Sequence, residues 1–396
     1  MTSSPPPARP SSRPPQTHPA GPAGPAGPAA GSAVSTRRLV GIDVARGLAI
    51  LGMFVAHLGD EAPGGGHDPA WFVLADGRSA ALFALLAGVS LALTSGRERL
   101  PSGPALAHAR LVTLVRAGIL LPLGWFLVAL GTPVAVILPA YAVLFVLALP
   151  FLGLRRRWLV LGAAVAATVS PTLIALLTTP TAAGTASLLA RALGVQDPVR
   201  IAGDELITGM YPALVYLAYV LVGMAVGRTD LTAIRTQAGL LGAGVVLATL
   251  GWGTSRLALD AVGSGASPLT VRLLSAGAHD DSTLEVVGNV GSSLAVIGVL
   301  LLLTRATTAA GHAVAVVLSP VAAAGSMSLS VYTVQIVGIF LLGDDVVWHP
   351  VSNAVLVWFI VAALVGAWAW RRLLGRGPLE RVLHAGATAV AGPRPA

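Results

Sequence analysis

From Leu39 to about residue 371 the chain is a succession of apolar runs parted by short polar breaks, and each run is about as long as a bilayer is thick. A helix needs about 20 apolar residues to cross the hydrocarbon core. Spans are predicted near 39–58, 79–95, 110–130, 133–153, 158–179, 209–227, 236–254, 285–303, 326–343 and 351–371. The Ala-rich stretch 306–323 is short for a span and reads as an interfacial or re-entrant helix, or as an eleventh crossing. The predicted fold class is all-α: a polytopic integral membrane protein with about ten transmembrane helices in one bundle.

Composition agrees. Charged residues make up 11 % of the chain and the mean hydropathy is +0.79, whereas a soluble domain carries about 25 % charged residues. Lipid must therefore be the solvent for most of the surface. The formal net charge of +8 comes from arginine alone, with no lysine. The arginines gather in short loops between apolar runs, so they orient the protein in a membrane rather than bind nucleic acid. With the N-terminus in the cytoplasm, the inner loops hold most of them, including Arg155-Arg156-Arg157, while the outer loops hold only Arg78, Arg191, Arg200, Arg256 and Arg272. This predicts both termini inside, an even number of spans and a multi-pass place in the membrane. Most carboxylates fall on the outer side. The absence of cysteine excludes disulfides, thiolate catalysis and Cys-based metal sites, and no metal is expected.

Residues 1–36 are rich in Pro, Ala, Gly and Ser and read as a disordered cytoplasmic tail. A membrane domain comes next over 37–384, then a second disordered tail over 385–396.

The first span carries a polar stripe. Asp43 and Arg46 lie three residues apart and share a helix face. His57, eleven residues beyond Arg46, is about three turns further along the same face. Ionisable groups inside a span are costly and face a bundle interior or a watery cavity. The competing reading is an Asp43–Arg46 pair that pins the helix at the inner interface. The next loop runs Asp60-Glu-Ala-Pro-Gly-Gly-Gly-His67-Asp68-Pro-Ala-Trp71. His67 beside Asp68 suits a general base oriented by a carboxylate, and a solvated bystander is the plainer alternative. Asp76 and Arg78 open the second span, as substrate contacts or as an interfacial pair.

Here the chain resembles a known family. Gly41-Ile-Asp43-Val-Ala-Arg46-Gly47 running into Met53-Phe-Val is similar to the opening helix of the heparan-alpha-glucosaminide N-acetyltransferase catalytic domain, and to the related YeiB-like (domain of unknown function 418) bacterial membrane proteins. Both belong to a wider transmembrane acyltransferase superfamily. His67 falls where that family places its catalytic His, with Trp71 near its Trp and Asp76 near its Asp. Gly325-Ser-Met-Ser-Leu-Ser-Val-Tyr332 and Gly375-Arg-Gly-Pro-Leu-Glu380 resemble YeiB-like motifs near the C-terminus. The family's Asn after the first apolar run is replaced by Ala56, followed by His57. The short outer loop speaks against heparan itself as substrate.

The resemblance implies an acyltransferase that takes acyl-CoA, acetyl-CoA being favoured, from the cytoplasm and passes the acyl group to a hydroxyl or amine of an extracytoplasmic glycan or small-molecule acceptor. Transfer would be direct or through an acyl-His intermediate. The implied roles are catalysis for His67, Asp68 and His57; CoA binding for Asp43, Arg46 and Arg116; and substrate binding for Asp76, Arg78, Trp71 and Glu285. Membrane lipid is a partner, and a homodimer is an allowed assembly. Arg110 reads better as a positive-inside anchor. Glu285, Asn289 and Ser292 share one face of the eighth span, and Tyr332 and Gln335 one face of the ninth; they line a cavity or bond helices together. His279-Asp280-Asp281 lies in an outer loop and makes a poor metal set, and His349 and His384 read as incidental. A transporter without covalent chemistry, or a scaffolding relative, fits the same spans.

Overall fold

The structure is a computed structural model that describes residues 1, 2, 4, 39–60, 69–178, 209–305, 307–350 and 352–393. The chain divides into two compact units, Met1–Arg38 and Leu39–Ala396, and the second holds the bundle. Its described residues form helices and no strands. In chain order these are α1 (Val40–Leu58), α2 (Ala70–Ala75), α3 (Arg78–Ser95), α4 (Gly103–Ala129), α5 (Leu138–Ala148), α6 (Arg156–Thr178), α7 (Ala213–Gly227), α8 (Ile234–Val262), α9 (Pro268–Leu274), α10 (Thr283–Leu303), α11 (Ala309–Val317), α12 (Ser319–Ser326), α13 (Ser328–Leu342), α14 (Asp345–Trp348), α15 (Ala354–Leu373) and α16 (Pro378–Ala391).

Each of the ten expected spans coincides with a helix. Among the described residues, seven helical segments are long and apolar enough to cross a bilayer, so the protein is a multi-pass membrane protein. Leu138–Phe151, Ala213–Gly227 and Ser328–Leu342 are apolar but shorter, because prolines delay two of them: α5 carries a Pro in its first turn and α7 is capped by Pro212. The Ala-rich stretch forms α11 and α12, bent by 63° where Pro320 begins the second helix. The C-terminal stretch expected to be a tail from residue 385 continues as α16 to Ala391, held to α4 by a 3.1 Å contact between His108 Nδ1 and the Ala391 carbonyl.

α1 stands at the centre. It packs against α3, α10, α12, α13 and α15. Of the membrane spans, α1, α3 and α10 are more than half buried, whereas α15 is 11 % buried and α8 17 %. The first three thus form the interior and the last two face lipid. Small residues set how closely these helices cross, as expected where lipid tails remove the hydrophobic drive between them. A Cβ on Gly325 of α12 would meet the Asp43 carbonyl and the Gly47 nitrogen of α1. Gly88 and Gly223 do the same for α3 and α7, and Gly244, Gly251, Gly288 and Gly291 for α8 and α10. The glycines of two motifs read in the sequence, Gly47 and Gly325, are therefore the contact at which α1 and α12 cross.

The two C-terminal motifs also meet. Glu380, in the first turn of α16, accepts hydrogen bonds from the backbone N–H of Leu329 (2.9 Å) and Ser330 (3.2 Å) and from the Ser330 hydroxyl (2.6 Å). The carboxylate satisfies orphan donors at the start of α13 and meets the positive end of its dipole. Arg228 plays the opposite part. Buried after α7, it donates to the carbonyls of Arg97 (2.8 Å) and Leu152 (2.5 Å) and to Ser95 Oγ (3.3 Å), tying the C-terminal end of α3 to the segment after α5.

Candidate functional site

The polar stripe of α1 ends in a different site at each end. Near its N-terminus, Arg46 donates to Ser90 Oγ of α3 (2.7 Å), to Asp43 Oδ1 one turn back (3.4 Å) and to the Gly325 carbonyl of α12 (3.4 Å). This network holds the guanidinium in the wall of a cavity of about 500 Å³ between α1, α3, α4, α5, α13, α15 and α16. Arg116, Arg371 and Arg376 line the same cavity, with Ser90, Thr94, Ser326 and Tyr332. Arg116 and Arg376 repel one another, and neither guanidinium makes a hydrogen bond among the described residues. Glu380 also reaches the wall, but its oxygens are committed to α13. With Asp43 on Arg46 and Glu380 committed to α13, the four arginines still outnumber the nearby carboxylates, and the surplus positive charge makes a site for an anion. Guanidinium forks suit phosphate in particular.

At the other end, about 16 Å along the helix from Arg46 at 1.5 Å per residue, His57 lies within electrostatic reach of Asp76 and His279. Its Nδ1 is buried without a hydrogen-bond partner among the described residues. Gln335, 1 % exposed, faces it from α13, and its amide has no partner other than His57 among the described residues. Asp76 ends α2, and its Oδ1 is 3.7 Å from His279 Nε2. His279 Nδ1 lies 3.3 Å from the Met210 carbonyl. Both ring nitrogens thus face acceptors, which suits an imidazolium. Burial works against that charge, and Asp76 outweighs it, so the pKa of His279 sits above its ordinary value.

Glu285 builds the loop that presents this histidine. Ser282 caps α10 by accepting from the Glu285 N–H (3.0 Å), and the Glu285 carboxylate reaches back to the N–H groups of His279 (3.1 Å) and Asp281 (2.6 Å). This is a variant of the capping box, in which Ser and Glu three residues apart exchange such bonds. The bonds hold His279 and Asp281 at φ 61° and 54°, a left-handed conformation uncommon outside glycine. Asn289, one turn further on, donates to Glu285 Oε1 (3.1 Å) and lies 3.5 Å from the Tyr219 hydroxyl. Burial, then the neighbouring Glu285, pushes the Asp281 carboxyl up to about 8. Gly77, at φ 65°, lets the turn before α3 lie against Ala278 of the same loop.

The residues singled out in the sequence therefore divide. Asp43, Arg46 and Arg116 stand at the Arg46 end, and His57, Asp76 and Glu285 at the His57 end. Arg78 lies 4.8 Å over the ring of Trp252, while Trp71 is 40 % exposed and edge-on to Phe72. His67 and Asp68 lie outside the described residues. Arg110 is exposed and donates to the Leu149 carbonyl (3.3 Å), as suits an anchor. Tyr332 and Gln335 do not share one cavity: the Tyr332 hydroxyl accepts from the Ile137 N–H (3.1 Å) and lines the Arg46 cavity, whereas Gln335 faces His57. Sequence reading gave no site role to His279, Arg371, Arg376 or His384, all of which reach one of the two sites. The Ser282-Thr-Leu-Glu285 signature was the available signal for the first. Nothing local marks the others, which sit in loops or late helices and join the cavity by packing alone.

The sequence model of the family described as heparan-alpha-glucosaminide N-acetyltransferase, catalytic, matches residues 38–253. That range takes in α1 through most of α8, with Asp43, Arg46, His57, His67, Asp76 and Arg116. A search of curated proteins returned no match. A match over more than half of the sequence, on a bundle that holds the family's opening helix at its centre, shows that the chain belongs to the family of the heparan-alpha-glucosaminide N-acetyltransferase catalytic domain.

Proposed function

We propose that the protein moves an acyl group, acetyl in the first instance, from cytoplasmic acyl-CoA to a hydroxyl or amine of an extracytoplasmic glycan or small-molecule acceptor, in a bacterial plasma membrane crossed ten times with both termini inside. The observation that carries this reading is the division of α1: a cationic cavity at Arg46 and a histidine–carboxylate cluster at His57, about 16 Å apart on one helix. Acyl-CoA carries a diphosphate and a 3′-phosphate, which match Arg46, Arg116, Arg371 and Arg376. The arginine-rich inner loops expected of an N-in topology support a cytoplasmic opening for this cavity.

The acceptor approaches from the other end. The segment 61–68, with His67 and Asp68, joins the His57 end of α1 to α2 and Asp76 by chain connectivity. In this reading His67 takes the proton from the acceptor as its oxygen or nitrogen attacks the thioester carbon. The new C–O or C–N bond forms, the C–S bond breaks, and the proton passes to the departing CoA thiolate. Asp76, charge-paired with His279, and Glu285, through the loop it anchors, shape the acceptor's place. Acyl-CoA turnover by purified protein in liposomes tests the reading, wild type against His67→Ala and Arg116→Gln. CoA release that requires His67, with CoA affinity that requires Arg116, supports it. A folded protein that neither binds nor turns over acyl-CoA would move the assignment to transport.

A further inference from the structure

A second cavity, unrelated to the polar stripe, opens on the lipid-facing side of α1. It is a groove of about 710 Å³ between α1, α3, α8 and α10, with α2 at one end. Its walls are apolar along Leu48, Leu82, Val245 and Val296, and it is open to the bilayer, with Val245 52 % exposed. Only hydroxyls (Thr249, Ser292 and Ser293) interrupt these walls, whereas the charged and aromatic polar groups are at the end near α2. There Arg78 lies over Trp252 at 4.8 Å. Its Nη1 is committed to the carbonyls of Val73 and Asp76, and its Nη2 and Nε make no hydrogen bond among the described residues. At the same end the Trp252 indole N–H is buried without a partner among the described residues. From Trp252 to Val245 the groove follows α8 for seven residues, about 10 Å. Trp71 and Trp252 flank the polar end, where aromatic rings sit at headgroup depth.

A half-satisfied cation, an orphan indole donor and two tryptophans at one end, and walls that are mostly hydrocarbon beyond it, follow the polarity gradient of a single lipid molecule. We propose that the groove is a binding site for an anionic phospholipid of the leaflet at the His57 end of α1, with its phosphate on Arg78 and a chain along Leu48, Leu82 and Val296. An arginine fork takes two phosphate oxygens of any phospholipid, and an anionic headgroup is preferred because no ammonium of its own offsets that phosphate's charge. Arg78 is two residues from Asp76, so the headgroup rests beside the His279–Asp76 cluster.

The test uses the full-length protein in phosphatidylethanolamine vesicles containing a small fraction of phosphatidylglycerol or phosphatidylcholine with a photoreactive diazirine in one chain. After illumination, labelled peptides are mapped. The phosphatidylglycerol probe should label the peptides holding Leu82 and Val296 about fivefold more than the phosphatidylcholine probe, the worth of one arginine against an anionic lipid. Arg78→Gln should bring the two probes level. Val245→Trp, a change at an exposed position that fills the groove, should lower labelling of both peptides while leaving the lipid-facing peptide of α15 unchanged. Equal labelling by the two probes in the wild type marks ordinary boundary lipid and overturns the proposal. So does a preference that survives Arg78→Gln, or labelling that ignores Val245→Trp. No acyl-CoA is present, so the result is independent of whether acyl transfer occurs.

Discussion

Replacing Gly325 by alanine tests whether the crossing of α1 and α12 sets the architecture of the Arg46 cavity. Alanine is favoured over glycine inside a helix by up to about 1 kcal/mol, so the substitution would stabilise an unconstrained helix. Here the new Cβ falls 2.5 Å from the Gly47 nitrogen and closer still to the Asp43 carbonyl, both backbone atoms that cannot rotate away. Reaching the 3.4 Å of an ordinary contact requires α12 to withdraw by at least 0.9 Å. Overpacking of this kind costs about 1–3 kcal/mol, which exceeds the propensity gain. The Gly325 carbonyl moves with the helix, and with it one acceptor of the Arg46 guanidinium. Gly242 of α8 is the matched control, exposed and with nothing within 4 Å of a Cβ. Thermal unfolding of both variants in one detergent should place Gly325→Ala below the wild type and Gly242→Ala at or above it. CoA affinity should fall only in the first. If Gly325→Ala unfolds at the wild-type temperature, the close crossing is not rigid and the reasoning fails.

Glu380→Ala removes the acceptor of two backbone N–H groups and a hydroxyl at the start of α13, and should cost about 1–2 kcal/mol of unfolding free energy in detergent. Arg228→Met leaves the carbonyls of Arg97 and Leu152 without their donor and should cost about 1–3 kcal/mol by the same measurement; an unchanged midpoint would mean that water replaces it. Loss of Arg116 or Arg376 should weaken CoA binding by roughly 10- to 100-fold in calorimetry, since each supplies a charged donor that nothing else in the cavity satisfies. The Asp281 carboxyl, pushed up to about 8, is protonated at neutral pH in the folded protein, whereas the unfolded group ionises at about pH 4. The folded state then binds more protons, so the group's contribution to stability is full at low pH and is lost as pH rises through about 8. An infrared carbonyl band of a protonated carboxyl should fade through that range and be missing from Asp281→Asn.

Several features of the site were readable because they are local. Asp43, Arg46 and His57 share a face by the helical repeat alone, and the structure puts all three on that face of α1. Arg116 was marked by being a charge in an apolar run, and Glu285 by its place at the head of one. The pairing of Gly47 with Gly325 was not readable, although both lay in recognised motifs, because 278 residues separate them and only the crossing angle of two helices brings them together. For the same reason Glu380 could be seen as a motif residue but not as the cap of α13. His279 was visible only as one charge in an acidic loop. Its role depends on Glu285 folding that loop back until the ring meets Asp76, which comes from a different part of the chain.

The sequence by itself determined the solvent, the helical class and the places of the apolar helices, since hydrocarbon thickness and backbone satisfaction leave a run of about 20 apolar residues few other options. It also determined which single residues are too costly in lipid to be idle. Tertiary structure alone decided that these residues form two separate sites at opposite ends of α1, and that Arg371, Arg376 and His279 belong to them. It decided too that a lipid-sized groove runs beside α3. Each of these depends on which helices touch, and in a membrane that is set by small residues and long-range packing rather than by any periodicity a single segment can display.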